Sequence, residues 1–283
     1  MTILVATGLH KEAAILSGPG VTAIAGGGDG ARLERELEAA AHSTQAILSC
    51  GLAGALDPSL KAGDLVIGSL SPWDGSARSV VSPARPERGG ALSTQRWAHA
   101  EGMGRVSATG EIDPDDHPHP SAASRLPPSP NGRGNAALFD ALTTHLIGSY
   151  VGTIVGSDTI IASVAEKHTL HTTTNALAVD MESHIAARVA ARHGLPFAIV
   201  RAISDTADHA LPPAALVGMR PDGSMALGAV LASLARNPRQ LPALIRTGRD
   251  AGHAFSALRR VRDVLAGLGI RLADDLELPL NMR

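Results

Sequence analysis

The sequence predicts an α/β domain with a central mixed, largely parallel sheet flanked by helices, and two patterns carry that reading. Short apolar runs at residues 3–6, 21–25, 46–50, 65–67, 151–155, 176–179 and 197–203 have the length and bounding residues of buried strands. Several are separated by stretches with helical spacing, at 31–41, 136–146 and 183–193. In the last of these Ile185, Ala186, Val189 and Ala190 recur on one face. Strands apolar along their whole length are those covered on both sides, as parallel strands between helices are. With 283 residues, 44% of them hydrophobic, the chain can bury the core of one large domain.

The first run is not preceded by basic residues and soon meets His10, Lys11 and Glu12, so it reads as a strand and not as a leader. Residues from about 76 to 134 interrupt the rhythm. They are rich in Pro, Gly, Ser, Arg and His, a composition that cannot offset its own ordering entropy by burial, and they read as an exposed insertion. His117, His119, Asp115 and Asp116 lie there without a helix or strand to fix ligand geometry, so no metal site is expected. Beyond Asp208, residues 225–234 and 254–268 read as helices, with Arg236, Arg239, Arg246, Arg249, Arg259, Arg260 and Arg262 in or near them. Such arginines ordinarily form a solvated face; beside exposed apolar residues they also suit anionic lipid headgroups. The expected organisation is thus one domain over 1–210, carrying the insertion, and a helical extension over 211–283 packed on it.

Composition excludes several functions. Lys+Arg 25 against Asp+Glu 27 leaves a net charge of −2, without the basic face of a nucleic-acid binder. Aromatic residues are 2%, too few for base-stacking platforms. The single Cys50 fits a reducing compartment. A cytoplasmic location is expected, with peripheral contact at the inner membrane left open.

Ligands of open α/β sheets bind at the carboxyl ends of strands. Glu12 follows the first strand, Asp180-Met181-Glu182 ends one strand and starts a helix, and Ser204-Asp205 follows the run 197–203. Three acids far apart in sequence, Glu12, Glu182 and Asp205, are therefore expected to converge, although each alone is more often a cap or an ion-pair partner. The glycine run from Gly26 to Gly30 also follows a strand and opens a helix. A lone glycine-rich turn after the second strand does not establish a dinucleotide site.

Ala178-Val179-Asp180-Met181-Glu182-Ser183, the stretch from Val200 to Asp208, and the blocks Gly51-Leu52-Ala53-Gly54 and Lys61-Ala62-Gly63-Asp64 resemble the nucleoside phosphorylase superfamily. Within it they are most similar to the methylthioadenosine/S-adenosylhomocysteine nucleosidases. The resemblance implies a nucleoside-phosphorylase-like fold and cleavage of the N-glycosidic bond of an adenine nucleoside. It makes Glu12, Asp205 and Glu182 catalytic: Asp205 at N7 of the base, Glu182 with Met181 at the ribose, Glu12 on the attacking water. It also puts Ala53, Gly54, Ile160 and Ile161 near the base, with Ser204 orienting Asp205. No metal or cofactor is implied, and a homodimer or higher homo-oligomer is.

Phosphorolytic relatives hold phosphate with an arginine after the first strand and another two residues before the position of Gly51. This chain has Gly8-Leu9-His10-Lys11-Glu12 and Ser49 there, which favours water over phosphate as co-substrate. His10 and Lys11 remain as alternative cationic donors, and Leu52 departs from the serine of the nucleosidases. Finally, Leu211-Pro212-Pro213, Asp222-Gly223 and the stretch from Leu231 to Pro242 resemble the tail of the hopanoid-associated phosphorylases. That similarity implies a lipid-linked nucleoside, adenosylhopane, as substrate.

Overall fold

The computed structural model describes residues 2–71, 104–106, 112–113, 132–218 and 226–275. The Pro- and Gly-rich stretch, with its His117 and His119, falls almost wholly outside them. In chain order the elements are β1 (Thr2–Thr7), α1 (His10–Leu16), β2 (Val21–Ala25), α2 (Gly30–Ala41), β3 (Thr44–Ala55), β4 (Leu65–Leu70), β5 (Gly104–Val106) and β6 (Ile112–Asp113). They continue with α3 (Gly132–His145), β7 (Tyr150–Gly156), α4 (Val164–Thr174), β8 (Ala178–Asp180), α5 (Ser183–His193) and β9 (Phe197–Asp205). The chain then forms α6 (Pro213–Leu216), α7 (Leu227–Arg236), a 3-10 turn (Pro238–Gln240) and α8 (Leu241–Asp275).

Period-two alternation divides the strands between two cores. Ile3 and Val5 of β1 join Leu48 of β3 and Val200 of β9 beneath α1, α3 and α8, where Leu138, Leu142, Leu258 and Val261 cover them. Leu4, Ala6 and Ile47 face the other way, onto Leu33 and Leu37 of α2 and Ile185 and Val189 of α5. Covered strands of this kind account for the continuous apolar runs in the sequence.

The sheet is mixed, ordered β2-β1-β3-β9-β4-β7-β5-β6, with β8 off this path between β3 and β7. Pairs β1–β2, β1–β3, β3–β9, β4–β7 and β7–β8 are parallel. Pairs β4–β9, β3–β8, β5–β6 and β5–β7 are antiparallel. Because β8 bonds to both β3 and β7, strands β3, β9, β4, β7 and β8 close a ring. All five contribute to one apolar cluster, through Ala53, Ile203, Val66, Ile154 and Ala178.

Three expectations are corrected. The strand expected over 46–50 does not end there, since β3 runs on through Gly51 and Gly54 to Ala55, with Gly51 opposite Arg201 and Gly54 opposite Asp205. The run 176–179 supplies only the short β8, ending at Asp180. Residues 254–268 are part of one longer helix, α8. In each case pairing or packing with distant residues sets the boundary that local composition could not. The glycine run is a turn: Gly27 and Gly28 take φ of 63° and 85°, and Asp29 caps α2 by accepting from the Arg32 N–H at 2.9 Å. Among the described residues no helix is long and apolar enough to cross a membrane.

Candidate active site

An open cavity with about 690 Å³ of empty space gathers the ends of β1, β3, β8 and β9 and the segment after β7. Its lining includes Glu12, Ala53, Gly54, Ile160, Ile161, Met181, Glu182, Ser204 and Asp205, every residue to which the resemblance assigns a catalytic or substrate-contacting role. His10 and Lys11 do not line it; Lys11 lies over the Phe255 ring, 3.9 Å from its centre. Among the described residues the lining holds no basic side chain.

Glu12 is fixed from four directions. Its Oε2 accepts from Thr7 Oγ1 at 2.5 Å, Gly8 N–H at 2.7 Å and Leu9 N–H at 2.9 Å, while Oε1 accepts from Leu52 N–H at 3.0 Å. The bonds tie the start of α1 to the middle of β3, so the buried carboxylate keeps its place without an ionic partner. Only a glycine fits beside it at 51: a Cβ there would stand 2.9 Å from both Glu12 Oε2 and Arg201 Nη1.

Arg201 was not singled out from the sequence, yet it organises the floor. It is fully buried, with Nε 2.7 Å from Asp180 Oδ2 and Nη1 3.2 Å from Glu182 Oε2. Its Nη2 donates to Ser49 Oγ at 2.5 Å and to Ser183 Oγ at 3.1 Å. Asp180 in turn accepts from the Glu182 and Ser183 N–H groups at 2.9 and 2.8 Å, and from the Ser183 hydroxyl. It therefore acts as a cap where β8 turns into α5. A usable signal was present: an arginine in the middle of the apolar run 197–203 must find partners once buried.

One guanidinium thus serves two carboxylates, with Glu12 close by. Burial pushes Glu182 up to about 8; Arg201 pulls it down, and the Asp180 and Glu12 carboxylates push it up. The same carboxylates hold the Arg201 guanidinium in its charged form against the cost of burial.

Asp205, which also lines the cavity, meets Lys167 of α4, a second residue that sequence reasoning missed. The buried ammonium lies 2.5 Å from Asp205 Oδ2 and donates to the Thr206 and His209 carbonyls at 2.8 and 3.0 Å. Asp205 Oδ1 accepts from Ser204 Oγ at 3.1 Å, and that hydroxyl also lies 3.2 Å from the Ala53 carbonyl. No periodicity marks Lys167, because α4 was not expected as a helix. Its Ser163–Glu166 capping box was the available sign.

Of the three acids that line the cavity, Glu12 and Glu182 approach the same glycine. A Cβ on Gly8 would lie 2.9 Å from Glu182 Oε1 and 3.5 Å from Glu12 Oε2. Residues 9–236 match the family model of the phosphorylase superfamily. The chain belongs to that superfamily. Its fold is the single-domain, nucleoside-phosphorylase-like α/β fold, extended by the long helix α8.

Solved structures to which the chain is similar include a 5'-methylthioadenosine/S-adenosyl homocysteine nucleosidase of Campylobacter jejuni, at 17% identity and TM-score 0.49, covering 94% of this chain and 98% of that one. A futalosine hydrolase mutant of Helicobacter pylori aligns at 14% identity and TM-score 0.45, over 94% and 99%. No curated protein matches the chain in sequence.

Proposed function

We propose that this chain hydrolyses the N-glycosidic bond of an adenine nucleoside. The observation that carries the reading is a cavity walled by three separately held carboxylates and, among its described residues, no basic side chain. Breaking C1′–N9 builds positive charge on the ribose and negative charge on the departing base. In this reading Glu182 accepts hydrogen bonds from ribose hydroxyls and stabilises the cationic sugar, as paired carboxylates do in glycoside hydrolysis. The Asp205 carboxyl gives a proton to N7 of the base as the electron pair withdraws to N9, so that adenine leaves neutral. Water adds at C1′ and gives its proton to Glu12. Acid–base groups so placed contribute roughly 10²–10⁴-fold each.

Phosphate needs fixed cationic donors, and the cavity lining offers none among the described residues; Arg201, with its partners Asp180, Glu182, Ser49 and Ser183, is engaged inside the fold. The resemblance of the tail to hopanoid-associated phosphorylases supports the finer reading, adenosylhopane as the nucleoside with loss of adenine. The direct test is product analysis with and without phosphate. Free ribosyl product and adenine in phosphate-free buffer are expected; a sugar phosphate formed only with phosphate would replace hydrolysis by phosphorolysis. Lipid mass spectrometry of cells lacking the protein distinguishes the substrates, with accumulated adenosylhopane expected and accumulated methylthioadenosine opposing it.

A further inference from the structure

Helix α7, Leu-Gly-Ala-Val-Leu-Ala-Ser-Leu-Ala-Arg, is apolar along nearly its whole length, yet none of its residues is buried. Leu227 and Leu231, one turn apart, are 64% and 66% exposed. A second pair with the same spacing, Leu241 and Ile245 at the start of α8, is also exposed, as is Val217 just after α6. Scattered exposed leucines need no explanation; two helical pairs on adjoining elements do.

These elements form one local cluster pinned by the buried Gln240. Its Oε1 accepts from Ala214 N–H at 2.9 Å, and its Nε2 donates to the Ser233 carbonyl at 2.8 Å and hydroxyl at 3.0 Å. The amide holds α6, α7 and the 3-10 turn in register where apolar burial does not. The described charges of this region are mostly of one sign, with Asp250 following at the next position of α8. Described residues between Leu211 and Arg249 include Arg236, Arg239, Arg246 and Arg249, all exposed, and no acidic side chain. None of the four pairs with an acid among the described residues. Leu211, two residues before α6, lines the cavity, so the cluster adjoins it.

From this combination the geometry points to a docking surface for an anionic lipid bilayer: α7 and the start of α8 set Leu227, Leu231, Leu241 and Ile245 into the interface while the arginines meet headgroup phosphates. Exposed leucines together with unpaired arginines are the signature of helices that lie in a membrane interface without crossing it. An acidic protein surface would satisfy the arginines but would not call for an apolar helix left bare. The surface draws on no substrate, so the inference stands or falls separately from the nucleosidase reading.

The test is co-sedimentation of the full chain with vesicles of phosphatidylcholine, and of phosphatidylcholine with about a quarter phosphatidylglycerol, at about 0.1 M and about 1 M salt. Binding to the anionic vesicles is expected, with loss at high salt and none on pure phosphatidylcholine. L227S/L231S should lower partition at least about tenfold, and each of R239S and R246S roughly fivefold. All three should keep the circular dichroism spectrum and thermal midpoint of the wild type, which shows that they are folded. Absence of vesicle binding by the wild type, or binding unaltered in L227S/L231S, overturns the proposal. So does a drop in oligomeric state of L227S/L231S with vesicle binding unchanged, which would assign the face to a second copy of the chain.

Discussion

Lys167 Nζ stands 2.5 Å from Asp205 Oδ2 and spends its remaining hydrogens on the carbonyls of Thr206 and His209. A single ammonium from α4 thereby fixes both the carboxylate at the end of β9 and the backbone that follows it. Lys167→Met leaves Asp205, which is 13% exposed, partly able to hydrate, so a stability loss of about 1–3 kcal/mol is expected. Turnover should fall further, by about 10²-fold, because the carboxylate loses its orientation. Thermal denaturation beside steady-state kinetics separates the two effects; unaltered kcat would leave Lys167 a purely structural residue.

Glu182 gives the pH dependence its sign. Burial, opposed by Arg201 and aided by Asp180, puts its pKa at about 8. Below that pH the carboxyl is neutral and cannot serve a cationic sugar as an anion. The pH profile of kcat/KM, which reports the free protein, should therefore climb through neutrality and level off above about 8. Glu182→Gln should remove that limb together with most of the activity. A profile flat from about two units below the expected pKa to about one unit above it would deny the carboxylate its role.

Removing the guanidinium of Arg201 strands two buried acids. Arg201→Met should lose about 3–5 kcal/mol, read from denaturant midpoints. Arg201→Lys should not restore it, since a point charge cannot reach Asp180, Glu182, Ser49 and Ser183 from one position.

Gly51→Ala tests how tightly the floor is built. The added methyl would sit 2.9 Å from Arg201 Nη1 and Glu12 Oε2, neither of which is a free side-chain end. Kinetics should show a loss of about 10²-fold, the scale of a misplaced catalytic group. Wild-type rates would mean that Glu12 needs no fixed position.

Asp205→Asn and Glu12→Gln should each lower adenine release by roughly 10²–10⁴-fold. Both replacements keep volume and much of the hydrogen bonding, so circular dichroism should match the wild type. Turnover unaffected in both would remove the three-carboxylate mechanism.

Much of this architecture was legible because its strands are covered on both faces, which writes them into the sequence as unbroken apolar runs. Glu12, Glu182 and Asp205 were legible because each closes or follows such a run, and the cavity does collect them. The residues that organise them were not. Arg201 stands opposite Gly51 in the ladder, Lys167 reaches Asp205 from 38 positions away, and Gln240 reaches Ala214 from 26. A lysine or glutamine with distant partners reads locally as an exposed helix residue, and only the fold shows what it meets. The extension of β3 through Gly51 and Gly54 was hidden for a related reason: glycine opposes strand formation locally, and pairing with β9 overrides it.

The place of β9 bears on how the chain can be made. Among the described residues it is the last strand in sequence, yet it lies between β3 and β4, paired with both. During synthesis those two strands wait with open edges until residues 197–205 arrive, and open apolar edges recruit other chains. A chain cut short before Phe197 would lack Arg201 and Asp205 and would also present β3 and β4 as bare templates, making it prone to aggregate and not merely inactive.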